Sequence, residues 1–333
     1  MTRMYEGSSK NVHLTQDGQS AIFEFTDRYS VFDWGAMPDQ LPQKGVALAH
    51  MGATFFKLLS KKNIPHHFHS LVDAEGEDLA AGQLSRFMKV AQVAVHRPVR
   101  TKTSYDYSFY QTAPTNCLVP LEVIFRWGAP AGSSLLKRHP HIKENERFGR
   151  PLIEFTTKLE AEDRVLSVEE ATTIAGLRAE EMRALLERTT EVAGHLKDLL
   201  SLMHVELWDG KLEWAFSGPR REFMLVDAIG LDELRVSFQG HALSKEFLRH
   251  HYRDTAWHSA LSEAKRIARR DGGDFKAICT ERFHQRPLPL PLPTRQAAET
   301  LYLCFANDLA RAFTGEAPFG PTLNLAHWVR EFA

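Results

Sequence analysis

Leu207-Trp208-Asp209-Gly210-Lys211-Leu212-Glu213-Trp214 is the densest run of chemistry in the chain. Side chains of a strand point alternately to its two faces, so Asp209, Lys211 and Glu213 share one face while Leu212 and Trp214 take the other. Three charges in a row make a poor purely structural strand and a good floor for a charged ligand. The plain alternative is the solvated face of an edge hairpin. Further on, Phe223-Met224-Leu225-Val226-Asp227 reads as a second apolar strand that brings Asp227 beside Glu213. Two carboxylates meeting at strand ends form a hard-oxygen site of the kind that holds Mg²⁺ and leaves its other positions to water and phosphate oxygens.

Around this run the chain reads as an ordinary soluble enzyme. At 333 residues it can bury a large core and is expected to divide into two lobes, because single cores stop growing near ~250–300 residues. We place the division at 1–117, a β-rich lobe with a helix, and 118–333, a larger α+β lobe. The 41 basic and 42 acidic residues leave a net charge of −1, which argues against a nucleic-acid partner. No stretch approaches the ~20 apolar residues of a membrane span, and the first residues lack the apolar core of a signal peptide, so a cytoplasmic location is expected. Cys117, Cys279 and Cys304 are far apart and form no CxxC pair, and read as reduced, buried thiols. The number of subunits stays open, a homo-oligomer included.

Moving outward, Ala21–Thr26 has strand composition and is followed by a helix from about Ala47 to Lys61, stopped by Asn63-Ile64-Pro65. Strands are expected at Phe87–Val95 and Leu118–Arg126, with an irregular excursion from His96 to Asn116. Ser167 and Glu170 form a capping box. A helix from Ala179 to Met203 carries Met182, Leu185, Leu186, Val192, Leu196, Leu199, Leu200 and Met203 as a core stripe and delivers the chain into the charged strand. Beyond Arg235 helices are expected over Lys245–Arg270 and Thr294–Phe313. Between them, Pro287 to Pro293 alternates Pro and Leu and predicts an extended, stiff connector that pins the last helix.

Two further fragments suit phosphate. In Tyr5-Glu6-Gly7-Ser8-Ser9-Lys10, Gly7 permits close backbone approach, Ser9 offers donors and Lys10 a point charge, although a surface turn is the simpler reading of the fragment alone. Arg126 followed by Gly128, Gly132, Ser133 and Ser134 joins a bidentate cation to a Gly-Ser turn.

Together these pieces resemble one family. Val119–Arg126 with Ala131-Gly132-Ser133 is similar to the first signature of phosphoribosylaminoimidazole-succinocarboxamide synthase (SAICAR synthetase), and Trp208–Glu213 to its second. Tyr5–Lys10, Phe25–Asp33, Gln43-Lys44-Gly45, Pro151–Lys158, Asp227–Arg235, Lys245–Arg249 and Thr314-Gly315-Glu316 follow in family order. The resemblance implies an α+β fold of two lobes with an ATP cleft between them, related to ATP-grasp and kinase-like folds. It also implies a reaction, the ATP- and Mg²⁺-dependent joining of L-aspartate to the carboxylate of carboxyaminoimidazole ribonucleotide through an acyl phosphate. Carried over by position, Lys10, Gly7, Ser9 and Glu122 would serve ATP, and Glu213 and Asp227 would bind Mg²⁺ with its nucleotide. Arg126, Ser133 and Arg235 would grip the ribonucleotide phosphate, with Lys158 nearby. Asp209, Lys211 and Asp232 would belong to the reacting region. The chain departs from the family at Ser8, Ala215, Ala228 and Gly230-Leu231, and has one extra residue between Arg126 and Gly132, which leaves Ser133 and Ser134 both open as the phosphate serine.

Two other readings fit parts of the pattern. A small-molecule kinase would use Asp33 or Asp209 as base but leaves the Arg126–Ser133 pairing unexplained. A catalytically idle nucleotide-binding paralogue is suggested by Ser8 and Ala228. His66, His67 and His69, His139 with His141, and His250 with His251 lack carboxylate or Cys companions and read as structural. Lys265, Arg266, Arg269 and Arg270 read as a solvated helix face.

Overall fold

The computed structural model describes residues 2–80, 82–102 and 104–333. Five antiparallel strands form the first sheet: β1 (Thr2–Glu6), β2 (Lys10–Leu14), β3 (Ser20–Phe25), β4 (Phe68–Val72) and β5 (Phe87–Ala91), in the order β1-β2-β3-β5-β4. Helix α1 (Lys44–Ser60) connects β3 to β4 and lies against this sheet. It begins three residues before Ala47. The Asp27 carboxylate accepts the Gly45 amide at 3.0 Å, so the first turn is satisfied from the preceding loop. β5 ends at Ala91 rather than Val95. The excursion that follows holds only a two-residue pair, β6 (Val99–Arg100) with β7 (Tyr105–Asp106), and one turn of helix, α2 (Ser108–Gln111); Thr103 within it lies outside the described residues.

The second sheet is built on two long strands, β8 (Cys117–Ala129) and β11 (Val205–Ser217), paired antiparallel. Between them come α3 (Ser134–Arg138), β9 (Glu146–Thr157), β10 (Val165–Leu166), α4 (Val168–Ile174) and α5 (Ala179–Ser201). The capping box of Ser167 and Glu170 is present, with Ser167 Oγ accepting the Glu170 amide at 3.0 Å. After β11 follow β12 (Glu222–Val226), β13 (Leu234–Phe238) and β14 (His241–Ala242), giving the order β10-β9-β8-β11-β13-β14 with β12 also on β11. Helix α5 packs across one face of this sheet, where Leu185, Val192, Leu196 and Leu200 meet Val123, Phe125, Leu212 and Trp214, all at most 2 % exposed. Gly210 lies on this strand because a Cβ there would come within 2.5 Å of the Phe125 ring.

β11 changes partner along its length. Its first half pairs with β13, through Asp209↔Arg235 and Gly210↔Leu234, and its second half with β12, from Glu213↔Val226 onward. The connection from Asp227 to Glu233 therefore spans the gap opposite Lys211 and Leu212, and Lys211 donates its amide to the Glu233 carbonyl at 3.0 Å.

The two sheets are stitched together by Pro65–His67. The Leu225 amide donates to the Pro65 carbonyl at 2.9 Å, the His67 amide to the Leu225 carbonyl at 3.0 Å, and the Ala91 amide to the His67 carbonyl at 2.7 Å. A second stitch joins Ala94 to the start of β8, with the Leu118 amide on the Ala94 carbonyl at 2.8 Å.

The C-terminal part is helical. The stretch expected to be helical from Lys245 to Arg270 holds two helices, α6 (Ser244–Tyr252) and α7 (Ala256–Asp271), because Asp254 adopts φ 65 and Thr255 caps α7 by accepting the His258 amide. A short α8 (Phe275–Ala277) runs into a π-helical turn at Ile278–Arg282, then come α9 (Leu292–Thr314) and α10 (Leu325–Phe332). The Pro-Leu connector is extended only to Pro291. Helix α9 already includes Leu292 and Pro293, since a proline in the first turn forgoes an N–H that has no partner there. The connector is pinned as expected: Tyr252 donates to the Leu288 carbonyl at 2.9 Å, and the Leu290 amide to Asp39 at 2.5 Å.

Candidate active site

Strand register assembles the charged face. Glu122 sits opposite Glu213, Ile124 opposite Lys211, and Arg126 opposite Asp209, while Glu154 and Thr156 of β9 and Arg235 of β13 fall on the same face. The hairpin reading of Asp209, Lys211 and Glu213 as an edge is thereby excluded, because β11 is central.

Three carboxylates converge on the Lys211 ammonium: Glu213 Oε1, Glu122 Oε1 at 3.3 Å and Asp227 Oδ2 at 3.4 Å. Lys158 adds a bond to Glu213 at 2.7 Å, and Lys10 pairs with the other Asp227 oxygen. Burial works against ionisation of Glu213, yet Lys158, Lys211 and Lys10 together hold its carboxyl far below its ordinary range. Burial also opposes charge on Lys211, but Glu213 and Glu122 raise its pKa. For Lys10 burial prevails and brings the pKa down to about 8.

Lys10 reaches this cluster from the β1–β2 turn. The Gly7 amide closes that turn on the Lys10 carbonyl at 2.9 Å, where a Cβ at Gly7 would lie 2.8 Å from the same oxygen. The Ser9 carbonyl accepts both the amide and the hydroxyl of Thr26, so its backbone is fixed. Asp227 is held in turn by His67, whose Nε2 donates to the Asp227 carbonyl at 2.8 Å and steadies a residue at φ 68. Of His66, His67 and His69, all expected to be structural, His67 is the one that touches the site; the His66 ring bonds Ser60 at 2.6 Å.

A second basin is lined by arginines. Arg126 bonds Glu154 through Nε, Asp209 at 3.0 Å through one terminal nitrogen and the Ser134 hydroxyl at 3.4 Å through the other. Arg138 holds the second Glu154 oxygen at 2.5 Å. Arg235 lies 3.8 Å from Asp209 and 3.7 Å from Glu246, and one of its nitrogens is buried without a hydrogen-bond partner. Glu246 also receives Arg249 at 3.2 Å and Arg253 at 2.6 Å. A cavity of about 620 Å³ opens beside Arg235 and Glu246, between Trp208, Phe247 and Trp328. Of the two candidate serines, Ser134 faces Arg126, whereas Ser133 is 2 % exposed and caps α3 by accepting the Leu135 amide at 3.3 Å. Asp209 sits between the two guanidinium groups.

Asp232 belongs to neither basin. It accepts Lys44 Nζ on one oxygen and the Tyr302 hydroxyl on the other, both at 2.8 Å, with Lys245 at 3.6 Å. Its side chain is 2 % exposed and that of Lys44 0 %. Burial opposes its ionisation, but Lys245 and Lys44 keep it charged, its pKa well below the ordinary range. Both oxygens are thus committed inside the protein. Lys44 was legible as part of Gln43-Lys44-Gly45; Tyr302, on a helix with no signature of its own, was not.

A family model described as SAICAR synthetase matches residues 3–264. The chain belongs to the SAICAR synthetase family. It is 36 % identical to the putative phosphoribosylaminoimidazole-succinocarboxamide synthase of Archaeoglobus fulgidus, with 89 % of each chain covered. Among solved SAICAR synthetases, the Saccharomyces cerevisiae SAICAR synthase complexed with SAICAR superposes with a TM-score of 0.62 at 18 % identity, covering 95 % of both chains. A SAICAR synthetase in complex with ADP superposes at 0.57 and 24 % identity, over 86 % of this chain and 99 % of that one. The fold expected from the resemblance, α+β in two lobes, is therefore the fold of SAICAR synthetases. No helix among the described residues is long and apolar enough to cross a membrane.

Proposed function

We propose that this protein is the ATP-dependent ligase its family name denotes, joining L-aspartate to carboxyaminoimidazole ribonucleotide to give SAICAR in purine biosynthesis. The observation that carries the reading is the pairing of the two basins on one sheet face: a carboxylate–lysine cluster beside an arginine-lined pocket. A phosphate monoester suits the second, because guanidinium groups match two phosphate oxygens at once. The first suits a triphosphate with its cation.

The donor set suits Mg²⁺ by its chemistry. Glu213, Asp227 and Glu122 supply hard carboxylate oxygens converging on one point, now taken by the Lys211 ammonium, and no soft ligand intervenes. Glu213 and Asp227 would hold the ion, which supplies charge neutralisation at the phosphates. Lys10, Lys158 and Lys211, released from their carboxylates, then hold the nucleotide phosphates and the substrate carboxylate. That neutralisation matters because a carboxylate is a poor acylating agent and must meet the γ-phosphate, another anion, to become an acyl phosphate. Arg126, Ser134 and Arg235 position the ribonucleotide, and Asp209 orients both arginines. A kinase reading leaves this second basin without a purpose.

The test is ADP release from Mg·ATP and carboxyaminoimidazole ribonucleotide, with and without L-aspartate, while following the succinocarboxamide. Product that requires all three substrates is expected. ATP binding without turnover would refute the ligase and favour an idle paralogue.

A further inference from the structure

Most carboxylates around the charged face are committed to cations; among the described residues Asp163 and Glu233 are not, and Asp163 is exposed. Glu122 and Asp227 have Lys211 within 3.4 Å, Asp209 has Arg126 at 3.0 Å, Asp232 has Lys44 at 2.8 Å and Glu246 has Arg253 at 2.6 Å. Glu233 has no cation within 4.0 Å among the described residues, and its Oε2 is enclosed without a hydrogen-bond partner. That oxygen lies 3.7 Å from where a Cβ at Gly230 would stand, a point also bordered by Leu48 and Met51 of α1. The backbone on either side is fixed, the Glu233 amide on the Gly230 carbonyl at 3.1 Å and its carbonyl on Lys211 at 3.0 Å.

Charges on three surrounding elements act on Glu233, Lys10 of β2, Lys211 of β11 and Lys245 of α6, together with Asp232 beside it on the same connection. Lys44 of α1 and Tyr302 of α9 also feel its charge. It therefore stands between the nucleotide cluster and the buried Asp232 network. Ala228 is one of the chain's departures from its family, and Glu233 supplies a carboxylate on the same connection.

We propose that Glu233 is the base that takes the proton from the attacking amine, an inference that rests on the ligase reading above. L-Aspartate arrives as an ammonium ion with no free lone pair. One N–H proton passes to the Glu233 carboxylate, and the freed pair attacks the acyl carbon. The C–N bond forms, the C–O bond to phosphate breaks, and phosphate departs with that electron pair while the second N–H proton leaves to solvent. Asp209 and Asp232 stay paired with Arg126 and Lys44, and Glu213 and Asp227 would be given to the cation, which leaves Glu233 as the enclosed carboxylate without a partner. Burial and the Asp232 charge raise the Glu233 pKa, the direction a base working near neutrality needs.

The experiment compares full-length wild type, E233Q and E233D in succinocarboxamide formation from pH 6 to 9, with ADP and ribonucleotide affinities measured by calorimetry. In E233Q, kcat/KM for L-aspartate is expected to fall by about 10²–10⁴ near pH 7 and to recover with rising pH as the free amine accumulates, with both affinities within about threefold of wild type. E233D is expected to keep an intermediate rate. An inactive wild type refutes the ligase reading itself. With an active wild type, E233Q turning over within about threefold of it, or losing rate equally at every pH together with ADP affinity, overturns the assignment of Glu233 as base.

Discussion

Asp232→Asn separates a buried structural anchor from a reacting group. The substitution keeps size and leaves an acceptor for Tyr302, so what it removes is the negative charge facing Lys44 at 2.8 Å and Lys245 at 3.6 Å. Breaking a buried pair by removing one partner costs about 3–5 kcal/mol, and the retained Tyr302 bond argues for the lower end, ~3 kcal/mol. With a urea m value of about 3 kcal/mol/M, the unfolding midpoint should drop by roughly 1 M at pH 7. The loss also has a signature in pH. Burial already lowers the Lys44 pKa against the pull of Asp232, and the variant lowers it further. Between that folded value and the ordinary lysine value the unfolded chain binds more protons, so stability rises with pH in that window. The gap between variant and wild type should therefore narrow as pH rises through the folded Lys44 values toward the ordinary lysine value. It should narrow at acid pH as well, because the contribution of Asp232 is lost as pH falls through its depressed folded value. Urea melts read by tryptophan fluorescence measure both trends. A variant with the wild-type midpoint at pH 7 but no turnover would refute the reasoning and return Asp232 to the reacting groups.

Glu213→Gln and Asp227→Asn should each cut Mg·ATP-dependent turnover by at least ~10²-fold while circular dichroism stays native; near-normal rates in either would remove the metal assignment. Arg235→Ala takes one charged contact from the ribonucleotide and should raise its KM roughly 10- to 100-fold with little change in kcat, which steady-state kinetics will show. His67→Gln keeps an N–H for the Asp227 carbonyl, whereas His67→Phe keeps bulk and strands that carbonyl, at a cost of about 1–3 kcal/mol. Equal stability and equal ADP affinity in the two His67 variants would rule out a positioning role for this ring.

Alternation carried much of the site before any coordinates. The face shared by Asp209, Lys211 and Glu213 followed from a period of two and was found as read, while Asp227, expected to end the next strand, stands one residue past it at φ 68. What alternation could not carry is pairing between strands far apart in sequence. Glu154 meets Arg126 only because β9 and β8 are in register, and Glu246 meets Arg235 only because α6 packs on β13. Tyr302 reaches Asp232 from seventy residues away, on a helix whose sequence shows only an apolar stripe. The misplaced boundaries have local causes: a side-chain cap at Thr255 divides one stretch expected to be helical, and a proline placed in a first turn lets α9 start inside the Pro-Leu run.

The change of partner along β11 limits how this site can vary. The connection between β12 and β13 has both ends registered on the same strand, and a slip of either by one residue would turn its buried side chains outward. An inserted residue between Asp227 and Glu233 would have to be taken up within the connection itself, where the Lys211 amide already holds the Glu233 carbonyl. Loop lengthening is opposed at this position by the pairing at both ends, which favours change by exchange of one side chain for another of similar reach.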